Sequence, residues 1–277
     1  MTQAGDIVVV TVDRGQLHRV GWDGSSSLLA AVGGGPNGAT EGADGTIYVA
    51  QSGGRPFFSP RRVMPGGIQA VRPDGSFSWV TLDPISPNDL CFGPDGWLYL
   101  TDPTEHLMDG RVWRVDVVTG EAQLLAAVDW YTNGIGFGLE DDALYVANTN
   151  GRQIVRFPLG PSGLGRPEVA IQMDHGGPDG FAFDTQGNLV IAAPTLDQGA
   201  DIQTWTLDGK LLDVLPLGPH SVYTNVAISD DRRLVIAASE ALEVQVVDNW
   251  PSGGLHLHPF RGAPAGSSQG GEHARVT

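Results

Sequence analysis

The sequence predicts an all-β fold, a six-bladed β-propeller of four-stranded blades, and two observations lead to it. Gly (39 residues) and Pro (19 residues) are frequent while charged residues make up only 17% of the 277, which is typical of short strands joined by tight turns. A polar motif also recurs about every 46 residues, and each interval holds several apolar segments. A repeat of that length containing several strands is the pattern of a propeller blade.

The recurring motif is a Pro or Thr, an amide or acid, a short apolar run, a tight polar turn and an alternating apolar strand. Its fullest copy is PNDLCFGPDGWLYLTD at 87–102, with the turn at Asp95-Gly96. The leading polar residues of the five copies, spaced by 51, 45, 46 and 46 residues, are Asn37, Asn88, Asn133, Asp179 and Asn225. The four-stranded units are therefore predicted at 37–82, 88–128, 133–172, 179–217 and 225–260.

The chain begins with a unit that lacks its innermost strand, since only three strands are predicted, at 7–12, 16–21 and 27–32. An open ring would leave an unpaired sheet edge. Residues 261–271 have the composition of a linker, and 272–277 lie one period after the last motif. We therefore expect residues 272–277 to be the closing inner strand, so that the N- and C-terminal strands share one blade of a single domain over 1–277. A disordered tail is the alternative.

Charge and composition limit the partners and the compartment. The 32 acidic and 16 basic residues give a net charge of −16, so nucleic acid is not an expected partner. No apolar run of membrane-spanning length and no secretory leader pattern is present, which predicts no membrane partner. The single cysteine, Cys91, fits a reducing compartment and a cytoplasmic location. A small molecule is the expected partner, and the oligomeric state stays open.

The motif residues predict a polar site at one mouth of the central channel. The first strand of every blade lines that channel, so residues that begin these strands meet at one end of it. Together with the residue one period beyond the last motif, they are Asn37, Asn88, Asn133, Asp179, Asn225 and Glu272. Amide and carboxylate oxygens without sulfur or imidazole suit a hard divalent cation, calcium above all. Each residue alone could be a turn former, but the repeated spacing favours a metal site.

Four ordered segments of the chain also carry a resemblance to a known family. They are GGGPNGA at 33–39, SPNDLCFGPDGWLYLTDP at 86–103, TNGIGF with ALYVANT between 132 and 149, and GGPDGFAFDTQGNLVIAA at 176–193. Over about residues 6–260 the chain resembles the senescence marker protein, gluconolactonase and luciferin-regenerating enzyme family. The resemblance implies a six-bladed propeller whose central Ca²⁺, or another divalent cation such as Zn²⁺, Mn²⁺ or Mg²⁺, is held by a Glu, an Asn and an Asp. A further Asn binds substrate or the metal.

Carried over by motif, the resemblance assigns Asn88 (in PND), Asn133 (in TNG) and Asp179 (in PDG) to the metal. The family's Glu belongs to an EGP motif near the N-terminus that this chain lacks. Glu272 is the candidate replacement, which would make the chain a circular permutation of the usual order. The family also often has an Arg two residues before the PND asparagine, where this chain has Ser86.

These residues predict a metal-dependent hydrolase of a lactone or related cyclic ester. The metal would polarise the carbonyl, and Asp179 would act as general base toward water or attack directly. The candidate substrate-binding residues are Asn37, Asn88, Asn225, Ser86, Trp130, Tyr131, Tyr223 and His106. Two alternatives remain: a non-catalytic propeller that binds a protein or small ligand, and a phosphotriester hydrolase on the same metal site.

Overall fold

The structure, a computed structural model, confirms the six-bladed β-propeller. It describes residues 1–54, 63–104, 108–161, 163–194, 201–216, 222–239 and 243–261. These residues form six antiparallel sheets, and the one helical element among them is a three-residue 3-10 turn, Val12–Arg14. None of the described helical residues forms a segment long and apolar enough to cross a membrane.

The strands follow one another blade by blade. Blade 1 contains β1 (Ile7–Thr11), β2 (Gln16–Val20) and β3 (Ser26–Ala31). Blade 2 contains β4 (Pro36–Glu41), β5 (Ile47–Gln51), β6 (Gly67–Val71) and β7 (Phe77–Thr81). Blade 3 contains β8 (Leu90–Phe92), β9 (Leu98–Asp102), β10 (Gly110–Val115) and β11 (Ala122–Val128).

Blade 4 contains β12 (Thr132–Phe137), β13 (Ala143–Asn148), β14 (Gln153–Gly160), the two-residue β15 (Gly163–Leu164) and β16 (Glu168–Gln172). Blade 5 contains β17 (Phe181–Phe183), β18 (Leu189–Ala193), β19 (Asp201–Trp205) and β20 (Leu211–Pro216). Blade 6 contains β21 (Tyr223–Ile228), β22 (Leu234–Ala238) and β23 (Glu243–Val247). Successive strands within a blade pair antiparallel, except that β16 pairs with β14 rather than with β15.

Tight turns of the predicted kind join the strands. Between β8 and β9, the Gly96 amide donates to Gly93 O at 3.0 Å, and Gly96 has a φ of 81°. The Asp95 carboxylate accepts the Trp97 amide at 3.2 Å, which closes the same turn from its side chain. The left-handed backbone favours glycine, which has no Cβ, so the Asp-Gly signal in the sequence has a direct physical cause.

The hydrophobic core lies between the blades. Every residue of the second strands β5, β9, β13 and β18 is buried, whereas the outer strands are largely exposed. Aromatic rings pack edge to face across blade boundaries, as in Tyr99–Phe137 (centroids 5.0 Å apart) and Tyr145–Phe183 (5.3 Å). Because neighbouring blades pack against each other through the hydrophobic core between them, the inner strands are held in fixed positions around the channel.

The first blade is truncated as predicted. The described residues give it three strands, and β1 packs against β4 in the way that β9 packs against β12 and β18 against β21. Strand β1 therefore occupies a second-strand position. The predicted closing strand at 272–277 lies outside the described residues, so closure by that segment stays a prediction.

The last blade differs from its prediction as a four-stranded unit over 225–260. The described residues give it three strands, β21 to β23. Residues 249–261, here called the crossing segment, leave the blade and pass over the ends of the inner strands, forming bridges from Gly254 to Asp184 and from His258 to Phe92. The NWPSGG sequence at 249–254 explains the change, because Pro lacks an amide donor and Gly weakens strands.

The crossing segment ties several blades together at the channel end away from the repeated polar motif. Ser252 donates to the Asp184 carboxylate at 2.6 Å, and the Leu255 amide donates to Phe183 O at 2.9 Å. Arg261 donates to Gly138 O at 2.9 Å. Trp250 is only 6% exposed, within the core cluster that blades 5 and 6 share. The segment therefore joins blades 3, 4, 5 and 6 at this end through both polar and apolar contacts.

We predict that Trp250→Ala destabilises the whole propeller, because it removes an aromatic anchor from that shared core. The expected loss in the free energy of unfolding is about 3–5 kcal/mol, measured by urea titration. Trp79→Ala is the matched control, since Trp79 is 36% exposed on an outer strand. Equal losses for the two variants would contradict the anchoring role of the crossing segment.

Candidate functional site

The inner strands meet at one mouth of the channel through backbone hydrogen bonds that pass from blade to blade. In each, the amide of a glycine donates to a carbonyl of the next blade, and we call these three contacts the inter-blade belt. The pairs are Gly38 to Asn88 (2.7 Å), Gly134 to Asp179 (3.2 Å) and Gly180 to Thr224 (2.8 Å). Between blades 3 and 4, the Thr101 hydroxyl donates to Asn133 O at 2.6 Å instead.

Glycine is required in the belt because the strands approach too closely for a side chain. A Cβ on Gly38 would lie 2.5 Å from Asp89 Oδ1, and one on Gly134 would overlap the carbonyl oxygen of Asp179. A Cβ on Gly180 would overlap the side chain of Asn225. The glycine of the repeated PNG, TNG and PDG motifs thus lets the residue before it reach the channel mouth.

The strand register shows which residues are equivalent around the mouth. In five blades, one residue of the first strand pairs with the same position of the second strand; these residues are Ala39, Leu90, Ile135, Phe181 and Val226. The residues two positions before them are therefore equivalent to one another, and they are Asn37, Asn88, Asn133, Asp179 and Thr224. The sequence alignment of blade 6 was therefore offset by one residue, because Thr224-Asn225 imitates Thr132-Asn133. Asn225 lies one position further along, where its side chain covers Gly180.

Asn88 and Asn133 are buried and held through their amide nitrogens. Asn88 is 9% exposed, and its Nδ2 donates to the Tyr131 hydroxyl at 3.2 Å. Asn133 is 6% exposed, and its Nδ2 donates to Thr149 Oγ1 at 3.1 Å. Thr149 in turn donates to Pro178 O at 2.7 Å, which links Asn133 to the backbone just before Asp179. No described residue donates a hydrogen bond to Oδ1 of either asparagine, so both oxygens are available as ligands.

Two carboxyl groups lie at this mouth, and both resist ionisation. Burial raises the pKa of Asp179 to about 8, and the charge of Asp89 raises it further, while a hydrogen bond from the Asn133 side chain acts in the opposite direction. Burial also raises the pKa of Asp89 to about 6, although the amides of Leu90 and Ile135 donate to its carboxylate. A bound cation would favour the ionised form of both groups.

Sequence reasoning missed Asp89 and Thr149. Asp89 is equivalent to the belt glycines Gly38, Gly134 and Gly180 of the other blades. The repeat does distinguish Asp89, because the PND motif has an acid where the PNG motif has a glycine. That position faces the neighbouring blade. Thr149 lies just after β13, where nothing in the sequence distinguishes it from an ordinary strand-end threonine.

The remaining predicted residues separate into four groups. Asn37 and Tyr131 are partly buried, and Tyr131 lies beside Asn88; burial raises the pKa of Tyr131 to about 12, so its hydroxyl stays neutral. Ser86 is buried and donates to Ser52 O at 3.3 Å, away from Asn88. Tyr223 and Trp130 instead belong to hydrophobic clusters, with Tyr223 1% exposed and Trp130 packed at its cluster's edge. His106 and Glu272 lie outside the described residues.

The donor set at the mouth fits a hard cation. It offers the amide oxygens of Asn88 and Asn133 and the carboxylates of Asp179 and Asp89, all of them oxygen. Across the described ranges, no group of three or more His, Cys, Asp or Glu side chains could hold a metal. A cation at this mouth would therefore depend on asparagine oxygens as much as on carboxylates.

The fold and this mouth define a class, a six-bladed β-propeller with an acidic, asparagine-lined channel mouth. Within that class, the chain belongs to the SMP-30/gluconolactonase/LRE-like family, whose model matches residues 1–240. The resemblance inferred from the four sequence segments is thereby confirmed.

Three proteins show the extent of the similarity. A gluconolactonase of Zymomonas mobilis subsp. mobilis is 29% identical over 234 residues, which is 74% of this chain and 61% of that protein. The chain thus spans about three fifths of that relative's length.

The structure of a gluconolactonase from Xanthomonas campestris superposes with a TM-score of 0.70 at 22% identity, covering 85% of this chain and 80% of that one. The calcium-binding regucalcin of Agrobacterium tumefaciens gives 0.69 at 20% identity, covering 87% and 80%. Both structural similarities show the fold.

We predict that Gly134→Ala disturbs the mouth and destabilises the protein, because the added Cβ would overlap Asp179 O. The expected loss is about 1–3 kcal/mol in the free energy of unfolding, as for an overpacked site. Gly160→Ala is the control, since its Cβ would meet nothing closer than 3.7 Å. A Gly134→Ala protein as stable as Gly160→Ala would show that the belt does not need glycine.

We also predict a pH-dependent stability difference between the wild type and Asp179→Asn, both kept in EDTA. The folded pKa of Asp179, about 8, exceeds the ordinary aspartate pKa of 3.8, so its protonated form stabilises the fold. That contribution is complete below about pH 4 and is lost as the pH rises through about 8. The melting temperature of the wild type should fall relative to Asp179→Asn between pH 5 and 8. Asp213→Asn, which removes an exposed carboxylate, is the control. Melting temperatures of wild type and Asp179→Asn that change with pH in parallel would show that the pKa of Asp179 is not raised in the folded protein.

Proposed function

We propose that this protein is a divalent-cation-dependent hydrolase of lactones or related cyclic esters. The observation that carries the proposal is the convergence of Asn88, Asn133 and Asp179 at one channel mouth, with hydrogen bonds that leave the asparagine oxygens available. Membership of the SMP-30/gluconolactonase/LRE-like family supports it, as does the similarity to a gluconolactonase of Zymomonas mobilis.

Calcium is the cation we propose, bound by side-chain oxygens of Asn88, Asn133 and Asp179. Calcium accepts six to eight oxygen ligands in flexible geometry, and amide oxygens rank among its usual ligands. The similarity in fold to a calcium-binding regucalcin supports this choice, and Zn²⁺, Mn²⁺ and Mg²⁺ are the competing ions. Glu272 remains our proposed additional carboxylate ligand on sequence grounds.

A cation held at this mouth would supply positive charge that polarises an ester carbonyl and stabilises the developing oxyanion. The chain's own residues would do the rest. The Asp179 carboxylate accepts the proton of the attacking water as general base. Asn133 holds Asp179 by a hydrogen bond, and Thr149 fixes both Asn133 and the backbone at Pro178. The reacting groups are therefore oriented before substrate arrives.

We predict calcium-dependent turnover that requires Asp179. Wild-type protein should hydrolyse five- and six-membered lactones in a pH-stat assay, lose the activity on dialysis against EDTA and regain it with calcium. Asp179→Asn should lower kcat/KM by about 100-fold or more, because the general base is removed. Asp213→Asn, which removes an exposed carboxylate far from the mouth, is the control and should retain full activity.

Two results would overturn the assignment in different ways. Calcium binding without turnover of any lactone would favour a non-catalytic ligand-binding propeller. Turnover of phosphotriesters in place of lactones would keep the metal site and replace the reaction. Full lactonase activity in Asp179→Asn would retain the reaction and reject Asp179 as its base.

A further inference from the structure

Tyr131 presents a hydroxyl group directly beside the candidate cation ligands. Asn88 Nδ2 donates to this hydroxyl at 3.2 Å. Because the oxygen is the acceptor in that contact, the hydroxyl keeps its own proton for a second hydrogen bond. No residue in the described part of the chain accepts that proton, although the Asp179 carboxylate is near enough to interact electrostatically. The group is thus a donor at the mouth without a protein acceptor among those residues.

The backbone on both sides of Tyr131 is closely confined. A Cβ on Gly110 would lie 2.6 Å from Thr132 Cγ2 and 2.7 Å from Trp130 O, so the start of β10 fits tightly against both neighbours. Thr132 is fully buried, and Trp130 packs against the core shared by blades 3 and 4. Because its neighbours are confined and its hydroxyl accepts a hydrogen bond from Asn88, Tyr131 loses little conformational entropy when it binds a ligand.

We propose that Tyr131 is a substrate-recognising residue that donates a hydrogen bond from its hydroxyl to the carbonyl oxygen of a bound lactone. This inference rests on the proposed function and adds to it the group that selects the carbonyl. Ser86, the other hydroxyl predicted to bind substrate, donates to the backbone of Ser52 and is not placed for this role. A neutral hydroxyl donor matches the uncharged carbonyl oxygen of a lactone, which accepts a hydrogen bond.

The test compares wild type, Tyr131→Phe and Tyr99→Phe by calorimetry in calcium buffer. Tyr99→Phe is the matched control, because it also removes a hydrogen-bonded tyrosine hydroxyl, one bonded to Asp95 at 2.9 Å in the turn between β8 and β9. The probes are δ-valerolactam, which carries the carbonyl and is not hydrolysed, and tetrahydropyran, which lacks it. We expect Tyr131→Phe to weaken lactam binding about tenfold, the usual effect of losing one neutral hydrogen bond. Tyr99→Phe should bind the lactam like wild type, and tetrahydropyran should not distinguish the three proteins.

Equal lactam binding by wild type and Tyr131→Phe would overturn the inference, as would equal weakening of the lactam and the ether, which indicates packing alone. A loss of calcium affinity in Tyr131→Phe matching the loss for lactam would also overturn it, since the hydroxyl would then act by orienting Asn88. Should Tyr131→Phe fail to fold, 3-fluorotyrosine at 131 must tighten lactam binding, because it is the stronger donor. No lactam binding by wild type would reject the inference, whereas lactam binding without lactone turnover would reject only the proposed function.

Discussion

The close approach of the inner strands at one channel mouth is the constraint on which the rest of the site depends. Gly38, Gly134 and Gly180 allow that approach, and their amides bond the blades to one another at 2.7–3.2 Å. The residue before each glycine is thereby carried to the channel. A side chain at a belt position would spread the blades and move the oxygens of Asn133 and Asp179 apart.

This arrangement leaves the mouth electrostatically unfavourable without a positive charge. Asp89 and Asp179 are recessed beside each other, and burial raises the pKa of both. Asn133 and Thr149 hold Asp179 in place, so the protein maintains the unfavourable arrangement through polar contacts that were already formed for the fold. Such an energetic cost to the folded protein is common in sites that are organised to bind a ligand.

Much of this fold could be predicted from the sequence, because each blade repeats the same turn and strand chemistry. The Asp95-Gly96 turn, the truncated first blade and the grouping of Asn88, Asn133 and Asp179 all follow from local patterns. Two features do not. The repeat spacing puts Asn225 one residue out of register because strand pairing, which the sequence does not show, decides its position. The sequence predicts a fourth strand before residue 260, whereas the crossing segment is positioned by contacts with Asp184 and Phe92, which are far from it in the chain.

The most direct test of the central claim is a crystal structure grown with calcium. We predict one cation at the channel mouth, with Oδ1 of Asn88, Oδ1 of Asn133 and a carboxylate oxygen of Asp179 each within about 2.3–2.6 Å of it. Calcium bound elsewhere on the protein, with these three side chains turned away from a common centre, would contradict the account.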